Sequence, residues 1–84
     1  MSLQEQFEAA SAESKQLPSR PSDDDMLKIY SLYKQATQGD VQGERPGIFD
    51  FVGGAKYDAW AELKGKSTED AMQEYVDLIN SLKG

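Results

Sequence analysis

No cysteine and no histidine occurs in this chain. Without cysteine there is neither a disulfide framework nor a thiolate metal site. Without histidine, the usual acid–base group of neutral pH and the commonest metal ligand are both missing. A nucleophile–base pair would have to be built from Ser, Thr, Lys and carboxylates alone. Positive charge is scarce as well: nine Lys and Arg against fifteen Asp and Glu leave a net charge of −6. That balance disfavours nucleic acid and anionic membrane surfaces as general partners. An anionic ligand must then be held by a local site rather than by the overall field. No apolar run approaches the ~20 residues that span a bilayer, and the start MSLQEQFEAAS lacks the basic and apolar regions of a secretory signal. The expectation is a cytoplasmic, soluble protein with no stable membrane insertion. Its 84 residues make one domain, spanning 1–84, able to bury roughly 60–70% of its unfolded surface.

What is present is helical periodicity. Leu3, Phe7 and Ala10 fall on one side of a first segment running to about Lys15, while Glu5, Glu8 and Glu13 fall on the other. The prolines of QLPSRP then break the pattern, each restricting the residue before it. Ser22 is placed to cap a second helix, with Asp23, Asp24 and Asp25 in the first turn, where negative charge suits the helix dipole. That helix is expected to reach about Thr37, with Met26, Ile29, Tyr30 and Tyr33 on one broad face. From Gln38 to Asp50 the sequence QGDVQGERPGIFD carries no period and reads as a loop. Thirteen extended residues reach up to ~43 Å, whereas a helix of about sixteen residues is only ~24 Å long. The loop can therefore run back along the whole molecule and leave the second and third helices parallel. A third helix over Phe51 to Lys64 places Trp60 and Leu63 on a common face, with Gly53 and Gly54 weakening its first turn. After the KGKS connection, Ser67 caps a fourth helix, with Asp70 as capping-box partner. Met72, Tyr75, Val76, Ile79 and Leu82 then recur at helical spacing. No strand and no repeat is visible. The fold class is all-α, a four-helix bundle with a long crossover loop between helices two and three.

Catalytic chemistry finds little support. Paired carboxylates can cleave glycosides, but the acidic residues fall on solvent faces, and a small bundle offers little concave surface for a sugar chain. GDVQGERPG is glycine-rich, yet no GK[ST] follows it as a phosphate-binding loop requires. Asp40, Gln42 and Glu44 do not reproduce the alternating oxygen ligands of a calcium loop. No metal and no cofactor is expected.

One stretch stands apart from its acidic surroundings. YSLYKQATQGD, Tyr30 to Asp40, sets Tyr30, Tyr33 and Lys34 on adjacent positions of one helix face. Tyrosine faces stack on flat heterocycles and their hydroxyls donate to phosphate oxygens, while lysine supplies a point charge. These are the parts of a nucleotide site that needs no glycine loop. Spacing alone favours the plainer role, in which both tyrosines are amphipathic core residues with their hydroxyls at the surface. Lys56 beside Tyr57, and Tyr75 on the fourth helix, add two further aromatic or cationic neighbourhoods. Convergence of the three would make a site, and spacing does not demonstrate convergence.

At these residues the chain resembles the acyl-CoA-binding protein family. PSDDDMLKIYSLYKQATQG (Pro21 to Gly39) resembles that family's signature stretch, and ERPGIFDF, AKYDAWAELKGKSTEDAM and YVDLI follow in the family's order and spacing. The likeness covers essentially the whole chain. It implies an up-down-down-up bundle that carries long-chain fatty acyl-CoA esters without catalysis. By match, Tyr30, Tyr33 and Lys34 would hold the adenine and 3′-phosphate of the CoA head. Lys56 would meet the phosphate and Tyr75 the head group. Ala10, Met26 and Leu27 would line the acyl groove, with Lys15 a weaker, peripheral contact. The resemblance is broken in helix three, where many members carry lysine at the positions of Val52 and Gly54 and tryptophan at that of Tyr57. Two other roles compete with the carrier: a protein-interaction or signalling module built on the same bundle, and an accessory domain of an acyl-CoA enzyme. Retention of Tyr30, Tyr33, Lys34, Lys56 and Tyr75 together favours the carrier, and the short chain ending at Gly84 weighs against the accessory domain. A monomer with, at most, transient contacts to acyl-CoA-using enzymes is the expected state.

Overall fold

Each helix begins where a side-chain oxygen stands ready to accept from an unpaired backbone N–H, the requirement that every helix start imposes. Ser2, Ser22, Asp50 and Ser67 accept from the N–H three residues on, those of Glu5, Asp25, Gly53 and Asp70. The computed structural model, which describes residues 1–83, accordingly contains α1 (Leu3–Glu13), α2 (Asp23–Gln38), α3 (Phe51–Ala61) and α4 (Thr68–Leu82). Among the described residues there is no strand. At Ser2 the cap is reciprocal, because the Glu5 carboxylate returns to the Ser2 N–H. The box expected at Ser67 supplies only the serine's half; Asp70 is one methylene shorter than the glutamate that completes such a box.

The boundaries depart modestly from the periodicity. α1 gives way at Ser14–Gln16 to a single 3₁₀ turn, and α3 ends at Ala61 rather than Lys64. Beyond it the chain tightens: Leu63, Lys64 and Lys66 donate to the carbonyls three residues back, and Gly65 adopts φ +92°, a left-handed conformation costly for any side chain.

Helix directions follow from which ends touch. The Trp60 indole near the end of α3 donates to the Gly39 carbonyl at the end of α2 (2.8 Å), so α2 and α3 run parallel. The Gln35 amide of α2 donates to the carbonyl of Lys66, which immediately precedes α4 (2.8 Å), so α4 runs opposite to α2. Lys83, just past α4, pairs with Glu13 at the end of α1, so α1 and α4 share a direction. The result is the up-down-down-up bundle with its long crossover. α4 packs against both α1 and α2, and α3 rests on α2.

The core gathers Phe7, Ala10, Leu32, Ala36, Ala71, Tyr75, Val76 and Ile79, with Leu17, Ile29, Leu63, Met72 and Leu78 packed around it. Large apolar side chains so buried contribute about 1.5–3 kcal/mol each. One sequence expectation is overturned here. The face of α2 that enters the core is Leu32, Gln35 and Ala36 with Ser31, not that of the tyrosines Tyr30 and Tyr33. Of that face Ile29 packs on the core; Met26 is exposed, and Tyr33 is exposed along one side while its ring meets Phe7 and Tyr75.

Asp40 ties the lower end together. Its carboxylate accepts from the Gly65 N–H (2.8 Å) and the Gln35 amide (3.0 Å). The Gly65 bond first, then Gln35, hold its pKa below the ordinary value of 3.8. A carboxyl whose pKa is lower in the folded than the unfolded chain stabilises the fold above the unfolded value, and that contribution is lost as pH falls through the folded one. Asp40→Asn is therefore expected to be less stable than the parent by a constant margin from neutral pH down to about 5. The margin should shrink below 3.8. Urea denaturation across that range checks it, and a margin that grows on acidification contradicts it.

Candidate functional site

The face of α2 withheld from the core forms one wall of an open cavity of about 830 Å3. Met26, Leu27, Tyr30 and Tyr33 belong to that wall. α3 contributes Phe51, Val52, Ala55 and Lys56 from the opposite side. The end of α1 and the linker after it add Ser11, Ser14, Lys15 and Arg20. Tyr75 reaches the cavity from α4 although only 2% of it is exposed. Its ring packs against Phe7 and Tyr33 at centroid distances of 5.0 and 5.9 Å, and Phe7 stacks on Tyr33 at 5.6 Å. This aromatic cluster makes the cavity floor part of the core.

The cationic residues converge as spacing could not show. The Lys56 ammonium of α3 lies 5.1 Å from the centre of the Tyr30 ring, and that of Lys34 lies 5.8 Å from the same ring. Lys34 is also 5.5 Å from the Trp60 ring. Both ammonium groups are within the reach of cation–π attraction. Two positive charges from different helices thus flank one flat aromatic surface. Parallel α2 and α3 are what bring Lys56 to Tyr30. The arrangement suits a planar heterocycle carrying a phosphate, with an apolar chain laid along Met26, Leu27 and Val52. The walls carry a single carboxylate among the described residues, Asp23, which Arg20 engages at 3.3 Å, so no carboxylate pair is available there for acid–base chemistry.

Of the residues singled out from sequence, Tyr30, Tyr33, Lys56, Tyr75, Lys15, Met26 and Leu27 all border the cavity. Lys34 stands beside it against Tyr30 and Trp60. Ala10 does not border it: it is buried in the core on the helix that packs against α4, where a small side chain lets two helices approach. Arg20, Phe51 and Ala55 are cavity residues that sequence reasoning passed over as ligand contacts. Arg20 lies in the proline-flanked linker, where no periodicity could mark it, and Phe51 reads as an ordinary helix start.

The glycines of α3 have a local explanation. Asp50, which caps the helix, leaves no room for a Cβ at Gly53: its carboxylate oxygen would lie 2.4 Å away. A Cβ at Gly54 would lie 2.9 Å from the Arg45 guanidinium. Arg45 comes from the crossover loop and grips Asp58 through two bonds of 2.9 and 3.0 Å. This holds the Asp58 carboxyl below its ordinary range. The Tyr57 hydroxyl donates to the Gly43 carbonyl (3.0 Å). Together these bonds lay the loop along α3.

Fold and cavity define a small all-helical binding protein with an apolar trough and a cation-flanked aromatic head site. The chain belongs to the acyl-CoA-binding protein family, whose model, described as Acyl CoA binding protein, matches residues 4–79. It is 48% identical over 80 residues to the acyl-CoA-binding protein homolog of Drosophila melanogaster, covering 95% of this chain and 93% of that one. With the acyl-CoA-binding protein of Saccharomyces cerevisiae it shares 49% over 76 residues, 90% of this chain and 87% of the relative. The solved structure of Oryza sativa Acyl-CoA-Binding Protein 2 superposes with a TM-score of 0.92 at 46% identity, over 96% of this chain and 90% of that one.

Replacing Gly54 by Ala should raise helix propensity by roughly 0.5–1 kcal/mol, but it displaces Arg45 from its place over the helix. The gain should appear in an Arg45→Ala background and be reduced in the parent. A double-mutant cycle by thermal denaturation measures the difference, and equal effects in both backgrounds would show that the two groups do not compete for the space.

Proposed function

We propose that this protein binds fatty acyl-CoA esters one to one and carries them unchanged, as a non-catalytic reservoir and transporter of medium- to long-chain acyl groups. The observation that carries this is the pairing of Lys34 and Lys56 across the Tyr30 ring at the edge of an apolar cavity. In this assignment the adenine stacks on Tyr30 and Tyr33, and the 3′-phosphate sits between the two ammonium groups. Lys15 makes a weaker contact with the head from the α1 side. Tyr75 closes the floor beneath it, and the acyl chain lies against Met26 and Leu27. Ala10 acts only by keeping α1 close to α4.

The energetics divide accordingly. Each methylene removed from water contributes about 0.8 kcal/mol, so a fully covered long chain offers on the order of 10 kcal/mol, reduced by the ordering of ligand and side chains. The chain supplies most of the affinity. The head contacts separate an acyl-CoA from a free fatty acid. No helix among the described residues is long and apolar enough to cross a membrane.

Calorimetric titration with palmitoyl-CoA, palmitate and free CoA tests the assignment. One-to-one binding of the ester, far tighter than that of palmitate, is expected; absence of ester binding refutes it. Within that site, Lys34→Ala should weaken ester binding about tenfold or more at low salt and by less at high salt, because an ion pair with phosphate is screened. Met26→Ala should weaken a sixteen-carbon ester (palmitoyl-CoA, by chemical formula, ~16 carbons) more than a short-chain one. Equal losses for both lengths would remove Met26 from the chain path.

A further inference from the structure

α2 presents Met26, Tyr30 and Tyr33 to the ligand cavity, and Asp24, Lys28 and Ser31 to a second open hollow, of about 680 Å3, on its other side. This hollow exists because α3 and α4 both lean on α2 without packing closely on each other. α2 is its floor, and the other two helices are its walls. Leu27, Leu32, Leu63 and Leu78 give it an apolar bed, and Ala59 keeps the α3 wall low. Its lining carries the carboxylates Asp24, Asp58, Glu62, Glu74 and Asp77 against one cation, Lys28. Arg45 holds Asp58, and Lys66 holds Glu74. Asp24 of α2, Glu62 at the end of α3 and Asp77 of α4 form no ion pair among the described residues.

We propose that this groove is the docking site for a cationic amphipathic helix of a partner protein. The charge pattern selects the occupant. No three acidic side chains among the described residues converge closely enough to hold a metal ion. Carboxylates spread over three helices suit instead Lys or Arg side chains spaced along a segment, with electrostatic complementarity fixing its register. The apolar bed distinguishes this face from an ordinary solvated acidic surface and asks for apolar side chains between those cations. From Asp24 to Leu32 the floor runs about 12 Å, some two helical turns, and an amphipathic helix fills such a groove with side chains at i, i+3, i+4 and i+7. Like charge turns away nucleic acid and anionic lipid. It turns away a second copy as well, since the chain itself carries −6. Leu27 and Ala55 line both hollows, so the seated helix lies against the back of the ligand cavity's wall. The docking is measured without ligand and stands apart from the acyl-CoA assignment.

The probe is a synthetic Leu/Ala/Lys peptide of about 18 residues, long enough to hold a helix, with lysines on one face and leucines on the other. It is titrated into the ligand-free protein and followed by amide NMR shifts at ~0.15 M salt, where exposed charges more than about 8 Å apart are largely screened. Shifts should concentrate over residues 24–32, 55–63 and 74–78. A Glu62→Gln, Asp77→Asn variant should bind the peptide about fivefold more weakly or worse. A Glu8→Gln, Glu44→Gln variant loses the same charge away from the groove and should stay within about twofold of the parent. Ala59→Gln fills the groove without changing its charge. It should keep its helical circular dichroism and lose binding to a similar degree. Equal losses in the two charge variants would reduce the effect to general attraction between a basic peptide and an acidic protein, and overturn the proposal. So would undiminished binding by Ala59→Gln, equal binding of a peptide with the same composition but scrambled faces, or shifts centred on the ligand cavity.

Discussion

Gln35 is wholly buried, and its amide holds three segments of chain at one point. Its nitrogen donates to the Asp40 carboxylate at the start of the crossover loop and to the Lys66 carbonyl at the entry to α4. Asp40 in turn accepts from Gly65, which follows α3. The amide oxygen of Gln35 has no hydrogen-bond partner, so the constraint rests on the amide nitrogen, whose N–H groups would cost more to bury unpaired than they contribute when paired. The lower ends of α2, α3 and α4 therefore meet in very few ways, and this one places α3 parallel to α2. Trp60, donating to Gly39, adds a second tie between α3 and the end of α2. Everything at the ligand site follows from that parallel pair, because only then does Lys56 come level with Tyr30.

The division of α2 between two duties explains how so small a bundle both folds and keeps a cavity. Leu32, Gln35 and Ala36 serve the core; Met26, Tyr30 and Tyr33 face the trough, and Ile29 sits between. Apolar surface left uncovered on Met26 and Tyr33 is stability forgone at about 25 cal/mol per Å2, recoverable by whatever covers that surface. The core is correspondingly thin and relies on helix caps and on the polar knot at its lower end. Tyr75 and Phe7 link the two regions, being core residues whose stacked rings also support the site.

The acidic chain meets the need to bind an anion by concentrating cations rather than by adding them. Arg45 is not one of them: it is held by Asp58 and lies over Gly54, so it fastens the loop, whereas Lys34 and Lys56 stand against the Tyr30 ring. The departures at Val52 and Gly54 thus have different characters. Val52 turns a wall of the cavity apolar, and Gly54 makes room for a strut.

Much of this was fixed by local chemistry and is legible along the chain. The serine caps, the proline break after α1, the loop too long to be a hairpin and the spacing of Tyr75, Val76 and Ile79 dictate four helices whatever their partners, because capping and periodicity act within a few residues. The signature around Tyr30, Tyr33 and Lys34 identifies the family for the same reason, as a short motif whose members share one helix face. Which face of α2 would be buried was not legible, since the core and the trough both call for apolar and aromatic residues and periodicity cannot distinguish an inner wall from an outer one. Nor could spacing bring Lys56 to Tyr30, remove Ala10 from the cavity or add Arg20 to it. Those depend on contacts between residues far apart in sequence, and only the packing of α3 along α2, fixed by Gln35, Asp40 and Trp60, decided them.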